Sequence, residues 1–236
     1  MSCGKTHPKD LLTQRWRRPN YRKRSCEKRH IKCPFGGTLL DAICVDDEDR
    51  QRGGIYGLLA SLLTAPPDQR QLLALRALSG DASPLGRAVA DLAAVAAEVT
   101  PEQASAEFDD LFIGLGRGQV VPYASSYLTG FLNEKPLALL RADLARLGIA
   151  RAEGIGEPED HAGILCEVMQ GLIDGSFGSP AALTRQRDFL GAHLASWWEH
   201  FFTDLEAAPA AHLYRPLGRI GRLFAGIEAE AFAMLD

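Results

Sequence analysis

Five consecutive residues, Glu157-Pro158-Glu159-Asp160-His161, concentrate three carboxylates and an imidazole around one proline. Carboxylates so placed suit two tasks: pairing with a guanidinium, or ligating a metal together with the histidine. The metal reading is the weaker. A hydrolase built on a His-Asp pair needs further His and Asp ligands on other helices. Here the pair is reversed as Asp160-His161, and His193, His200 and His212 lack matching carboxylates. Cys26, His30, Cys33 and Cys44 are spaced without the paired C-x₂₋₄-C knuckle of a zinc site. Ser125-Ser126 sits in no nucleophile elbow. Gly114-Leu115-Gly116-Arg117-Gly118 follows no strand and lacks the Lys-Ser/Thr of a phosphate loop, so it reads as a tight inter-helix loop. These observations predict no catalytic residue, no metal and no cofactor.

The elements that must position the pentapeptide are helical. A proline in a first helical turn wastes no hydrogen bond, and acids there oppose the helix dipole. The five residues therefore predict a helix start near Pro158, with His161 in its first turn or Asp160 as its cap. Leu165, Val168, Met169 and Leu172 continue it as a buried stripe ending at Gly175. Upstream, order begins near Asp46, with Ile55, Leu58, Leu59, Leu62 and Leu63 on one face before Pro66-Pro67. Shorter helices follow around Leu72–Leu78, 84–99 and 101–112, the last opened by Thr100-Pro101-Glu102-Gln103. Tyr123, Tyr127 and Phe131 recur every four residues, as an aromatic stripe that suits a core or a groove wall. Lys135-Pro136 opens a helix closed by Gly148. Long helices are expected over 180–205, carrying Trp197 and Trp198, and over 210–234. No convincing period-2 segment occurs. The expected fold is all-α, a single bundle of about eight or nine helices.

Charge divides the chain. Residues 1–32 hold eleven of the 26 Lys/Arg and two of the 30 Asp/Glu, leaving 15 basic against 28 acidic residues in the remainder. Residues 1–45 lack hydrophobic periodicity and read as a disordered basic tail; residues 46–236 read as the folded, acidic domain. Arg17-Arg18 is followed by Pro19-Asn20-Tyr21-Arg22 and no apolar run, so it is no twin-arginine export signal. No 18-residue apolar stretch or secretory h-region is present, which predicts a cytoplasmic protein without membrane insertion. An acidic body repels nucleic acid and attracts cationic peptides. Five cysteines, an odd number, argue against a disulfide framework.

Three phrases together carry a resemblance: Phe108-Asp109-Asp110-Leu111-Phe112-Ile113-Gly114, then Pro122-Tyr123-Ala124-Ser125-Ser126-Tyr127-Leu128, then Glu157-Pro158-Glu159-Asp160-His161. Over roughly residues 50–235 the chain resembles the TorD/DmsD family of cytoplasmic chaperones for molybdenum-containing redox enzymes, whose E-P-x-D-H signature is complete here. The family often has proline where this chain has Leu115, and the basic tail has no counterpart in its pattern. Gly114–Gly118 with Tyr127–Pro136 looks most like members associated with formate dehydrogenase. The resemblance implies a chaperone, not an enzyme. It would bind the twin-arginine leader, or the apo form, of a molybdoenzyme catalytic subunit until the cofactor is inserted. Glu157, Pro158, Asp160 and His161 would read the leader arginines, and Tyr123 and Tyr127, with Trp197 or Trp198, would wall an apolar groove. Monomer and homodimer both remain open. The rival readings are a metal-dependent hydrolase centred on Asp160-His161 and an adaptor acting through its basic tail.

Overall fold

The computed structural model describes residues 16–17, 45–114, 118–152 and 156–235. The described residues form ten α-helices, one π-helical turn and a two-stranded ladder. Helix α1 (Asp47–Thr64) begins where Asp46 accepts the amide of Asp49, as expected of an acidic helix start. Helices α2 (Gln69–Arg76) and α4 (Pro101–Phe108) both open with capping boxes, built by Asp68 with Gln71 and by Thr100 with Gln103. Helix α3 (Pro84–Glu98) packs on α2. The expected helix through Phe112 changes pitch: α4 ends at Phe108 and Asp109–Ile113 continue as a π turn.

Helices α5 (Ala124–Thr129) and α6 (Lys135–Leu147) form a short hairpin. Helix α7 (Ala162–Asp174) then runs through the middle of the molecule, with eleven of its thirteen residues buried. It packs closely along α1. A Cβ on Gly163 would lie 2.7 Å from Thr64 Cγ2, 3.1 Å from Leu63 Cβ and 3.2 Å from the Ala60 carbonyl, so only glycine allows this approach.

The long helix expected over 180–205 is two helices, α8 (Leu183–His193) and α9 (Trp198–Ala207). Trp197 breaks it. Its indole N–H donates to the His193 carbonyl at 2.8 Å, while its backbone leaves the helical region at φ −143°. His193 and His200 thus share no helix face. The last helix, α10 (Tyr214–Ala233), is shorter than expected at its start and packs on α9 and α3. Among the described residues no helix is long and apolar enough to cross a membrane.

Most of the expected disordered tail lies outside the described residues. Besides Val45 at its end, Trp16–Arg17 is the exception. It forms strand β1, antiparallel to β2 (Ala150–Arg151), with Trp16 opposite Arg151 and Arg17 opposite Ala150. Trp16 belongs to the hydrophobic core.

Candidate functional site

The helix does not start at Pro158: residues 157–160 form a turn, and α7 begins at Ala162 with His161 as its N-cap. His161 Nδ1 accepts the Gly163 amide at 3.1 Å. A ring nitrogen that accepts carries no proton, so a neutral His161 is protonated on Nε2. Its ring stands edge-on to Tyr123 at 5.2 Å. Pro158 closes the turn, its carbonyl accepting the His161 amide at 3.3 Å.

This turn lies beside the chain entering α5. Ala124 N–H donates to the Asp160 carbonyl (3.0 Å) and Ala162 N–H to the Pro122 carbonyl (2.8 Å), bridging Tyr123 and His161. Two helix starts are thereby fixed side by side. Asp160 does not cap its own helix. Its Oδ2 accepts the Ser125 amide at 2.9 Å, in the first turn of α5, whose own N-cap Tyr123 supplies no side-chain bond. Asp160 is therefore the cap of a helix 35 residues away in sequence.

The three carboxylates divide their work. Glu157 accepts the Tyr123 hydroxyl, and burial together with this bond raises the Tyr123 pKa. Glu159, a buried side chain, is held by Arg141 at 2.8–2.9 Å and faces Arg151 at 3.6 Å. Asp160 is 1 % exposed, and its Oδ1, like the neighbouring Ser125 Oγ, has no hydrogen-bond partner among the described residues. A buried acceptor left unpaired costs about 1–3 kcal/mol, so such an atom marks a place where a donor is expected.

Asp160 also lines a groove of about 270 Å³ between α5, α6, α7 and α8. Its apolar walls include Leu128, Pro136, Leu139, Leu140 and Leu165. Leu128 and Leu139 are exposed along it, and Phe131 and Leu132, in the loop joining α5 to α6, are also exposed. The groove has a polar corner: His193 Nε2 lies 2.8 Å from Asp143 Oδ2, and Asp143 also pairs with Arg146. Burial, then the Arg146 charge, push the His193 pKa down from 6.5 to about 4.

The aromatic residues expected as groove walls do not gather there. Tyr123 serves the turn through Glu157. Tyr127 packs on Trp197 and Phe201 at 5.5 and 6.1 Å, and its hydroxyl donates to Asp204 at 2.8 Å. Trp197 and Trp198 are buried in the core. Leu128, Leu139 and His193 escaped the sequence reading as groove residues. Leu139 lies off the buried Leu137/Leu140/Leu144 stripe, and that is the signal that marks it. Among the described residues no three His, Cys, Asp or Glu side chains gather as a metal site; Cys26, His30, Cys33 and Cys44 lie outside those residues.

Comparison with known proteins places this arrangement. The family model described as nitrate reductase delta subunit matches residues 79–203. The chaperone protein TorD of Vibrio cholerae is 33% identical over 127 residues, spanning 51% of this chain and 58% of that protein. The match therefore spans little more than half of that relative's length. The chaperone protein TorD of Aeromonas salmonicida is 27% identical over 205 residues, covering 78% of this chain and 92% of that one. In fold, the chain is similar to a protein described as a redox enzyme maturation protein from Archaeoglobus fulgidus, at a TM-score of 0.50 and 22% identity over 74% of this chain and 93% of the other. The family model covers more than half of the sequence and includes both helix starts joined at the turn, and the chain belongs to that family, the TorD/DmsD family its motifs resemble.

Proposed function

We propose that this protein is a chaperone for a molybdenum-cofactor oxidoreductase. In this reading it holds the twin-arginine leader of the apo-enzyme in the α5–α8 groove, in the cytoplasm, until the cofactor is inserted and export can proceed. The observation that carries the reading is Asp160, which lines an apolar groove and whose buried Oδ1 has no partner among the described residues. A leader arginine supplies the missing donor. The apolar segment that follows the arginines in such a leader suits Leu128, Leu139 and Leu140. Glu157 and Glu159 are engaged by Tyr123, Arg141 and Arg151, so their part is to hold the turn. The sequence phrases around Gly114 and Tyr127 point to formate dehydrogenase as the client; capture from the native cytoplasm, with the bound enzyme identified by mass spectrometry, tests that choice.

Asp160→Asn is the informative variant. The amide oxygen can still cap α5, while the unpaired acceptor is replaced by a donor that repels a guanidinium. Losing such a charged contact costs about 1–3 kcal/mol, so leader affinity should fall roughly five- to a hundredfold. The melting temperature should stay close to wild type. Calorimetric titration with a twin-arginine leader, and with its Lys-Lys counterpart, reads both sides of the contact. Equal affinities for both proteins and both peptides would sink the proposal.

A further inference from the structure

Trp16 is an anomaly in its surroundings. Its sequence neighbours are Arg15, Arg17 and Arg18, yet its side chain is only 5 % exposed. The seat is specific. The indole N–H donates to Glu167 Oε2 at 3.2 Å, and the ring meets Phe177 edge-on at 6.3 Å. Phe177 in turn lies against Gly171 of α7, where a Cβ would come within 2.2 Å of its ring. The backbone beside Trp16 pairs with Arg151 and Ala150. Arg151 then reaches the signature turn twice: Nη1 donates to the Glu157 carbonyl at 2.9 Å, and Nε faces Glu159 at 3.6 Å.

Trp16 does not reach the groove itself. Glu167 and the groove residue Leu165 are two residues apart on α7, or about 200° around a helix of 3.6 residues per turn. Apart from its seat on α7, the link from Trp16 towards the signature turn runs through β2 and Arg151. We propose that Trp16, seated on Glu167 and Phe177 and paired with Arg151, is a positioning residue for the 157–160 turn, so that this part of the N-terminal segment belongs to the leader-binding apparatus. The proposal rests on the leader-binding reading above for its functional consequence, and on geometry alone for its structural one.

The test uses the full-length chain. Trp16→Phe keeps the apolar body and loses the donor to Glu167; Trp16→Ala empties the seat; Arg151→Gln cuts the link to the turn without touching the core. Leader affinity, measured well below the melting temperature, should fall about three- to tenfold in Trp16→Ala and in Arg151→Gln, and the double variant should lose no more than the worse single one. Trp16→Phe should fall between wild type and Trp16→Ala. Hydrogen exchange supplies a readout that needs no leader. The amides of His161 and Ala162, bonded to the Pro158 and Pro122 carbonyls, should exchange faster in Trp16→Ala, with α9 and α10 unchanged. A lower melting temperature with unaltered exchange at the turn would overturn the proposal, as would fully additive losses of affinity. If wild type binds no leader, the functional reading falls, and the exchange experiment still decides whether Trp16 orders the turn.

Discussion

Asp160 and His161 are adjacent, yet they cap different helices, α5 and α7 respectively. Their side chains act as two connectors, one for each helix start. His193, on the far wall of the groove, carries a pH signature. Burial and the Arg146 charge hold it neutral; Asp143, which faces its Nε2, is already shared with Arg146 and cannot restore the ordinary value. With a folded pKa of about 4 against an ordinary 6.5, the unfolded chain takes up a proton that the fold refuses. The contribution of His193 is complete above the ordinary value and is lost as pH falls from 6.5 towards 4. Urea midpoints measured across that window should fall more steeply for wild type than for His193→Gln; parallel curves would show that His193 does not titrate as described.

At the scale of elements, the decisive event is the break between α8 and α9. The sequence permits one long helix here, since neither proline nor a capping glycine interrupts it. The break turns α8 toward the groove, where Ala192 and His193 form part of the wall. The indole of Trp197 replaces a helical partner for the His193 carbonyl, and its ring fills the space under Tyr127. Trp197→Phe retains an aromatic ring while leaving that buried carbonyl without this donor. A loss of about 1–3 kcal/mol is expected, measured by chemical denaturation. A loss below about 0.5 kcal/mol would mean that another donor takes over the carbonyl.

At the scale of the whole molecule, a partly buried ion pair ties the first long helix to the last. Glu228 on α10 is 1 % exposed, accepts Arg52 Nε and Nη2 at 2.8 and 2.9 Å, and also accepts the Tyr56 hydroxyl at 2.9 Å. Arg52 is shared further with Asp49 and Gln186. A pair of this kind adds little over apolar packing, and Arg52 would keep Asp49 and Gln186 if Glu228 were removed, whereas the Tyr56 hydroxyl would lose its acceptor. Glu228→Ala should therefore destabilise the fold by about 1–3 kcal/mol, while Arg52→Met with Glu228→Leu should recover most of that loss. Urea unfolding of both variants checks the pair. A double variant as unstable as the single one would show that the ionic contact itself is required.

Much of this protein is legible in its amino-acid order. Helix content follows from apolar spacing, because each helix buries one stripe and its hydrogen bonds are local. Capping at Asp68 and Thr100 needs only residues three apart, and it appears as the motifs indicate. The signature pentapeptide stands out for the same reason, as a dense local cluster, and it leads to the family. Its internal roles are another matter. The sequence suggests a helix start at Pro158; tertiary structure makes a turn, because Asp160 is drawn to the amide of Ser125 and both Arg141 and Arg151 gather on Glu159. Those contacts join residues between eight and 35 positions apart, and no periodicity encodes which carboxylate meets which donor. The same holds for Trp16, whose basic neighbours disguise it until Glu167, 151 positions later, accepts its indole proton. Local order determines which helices exist. The packing of α5, α6 and α8 around α7 decides which side chains face the groove and which of the three carboxylates keeps an unpaired oxygen there.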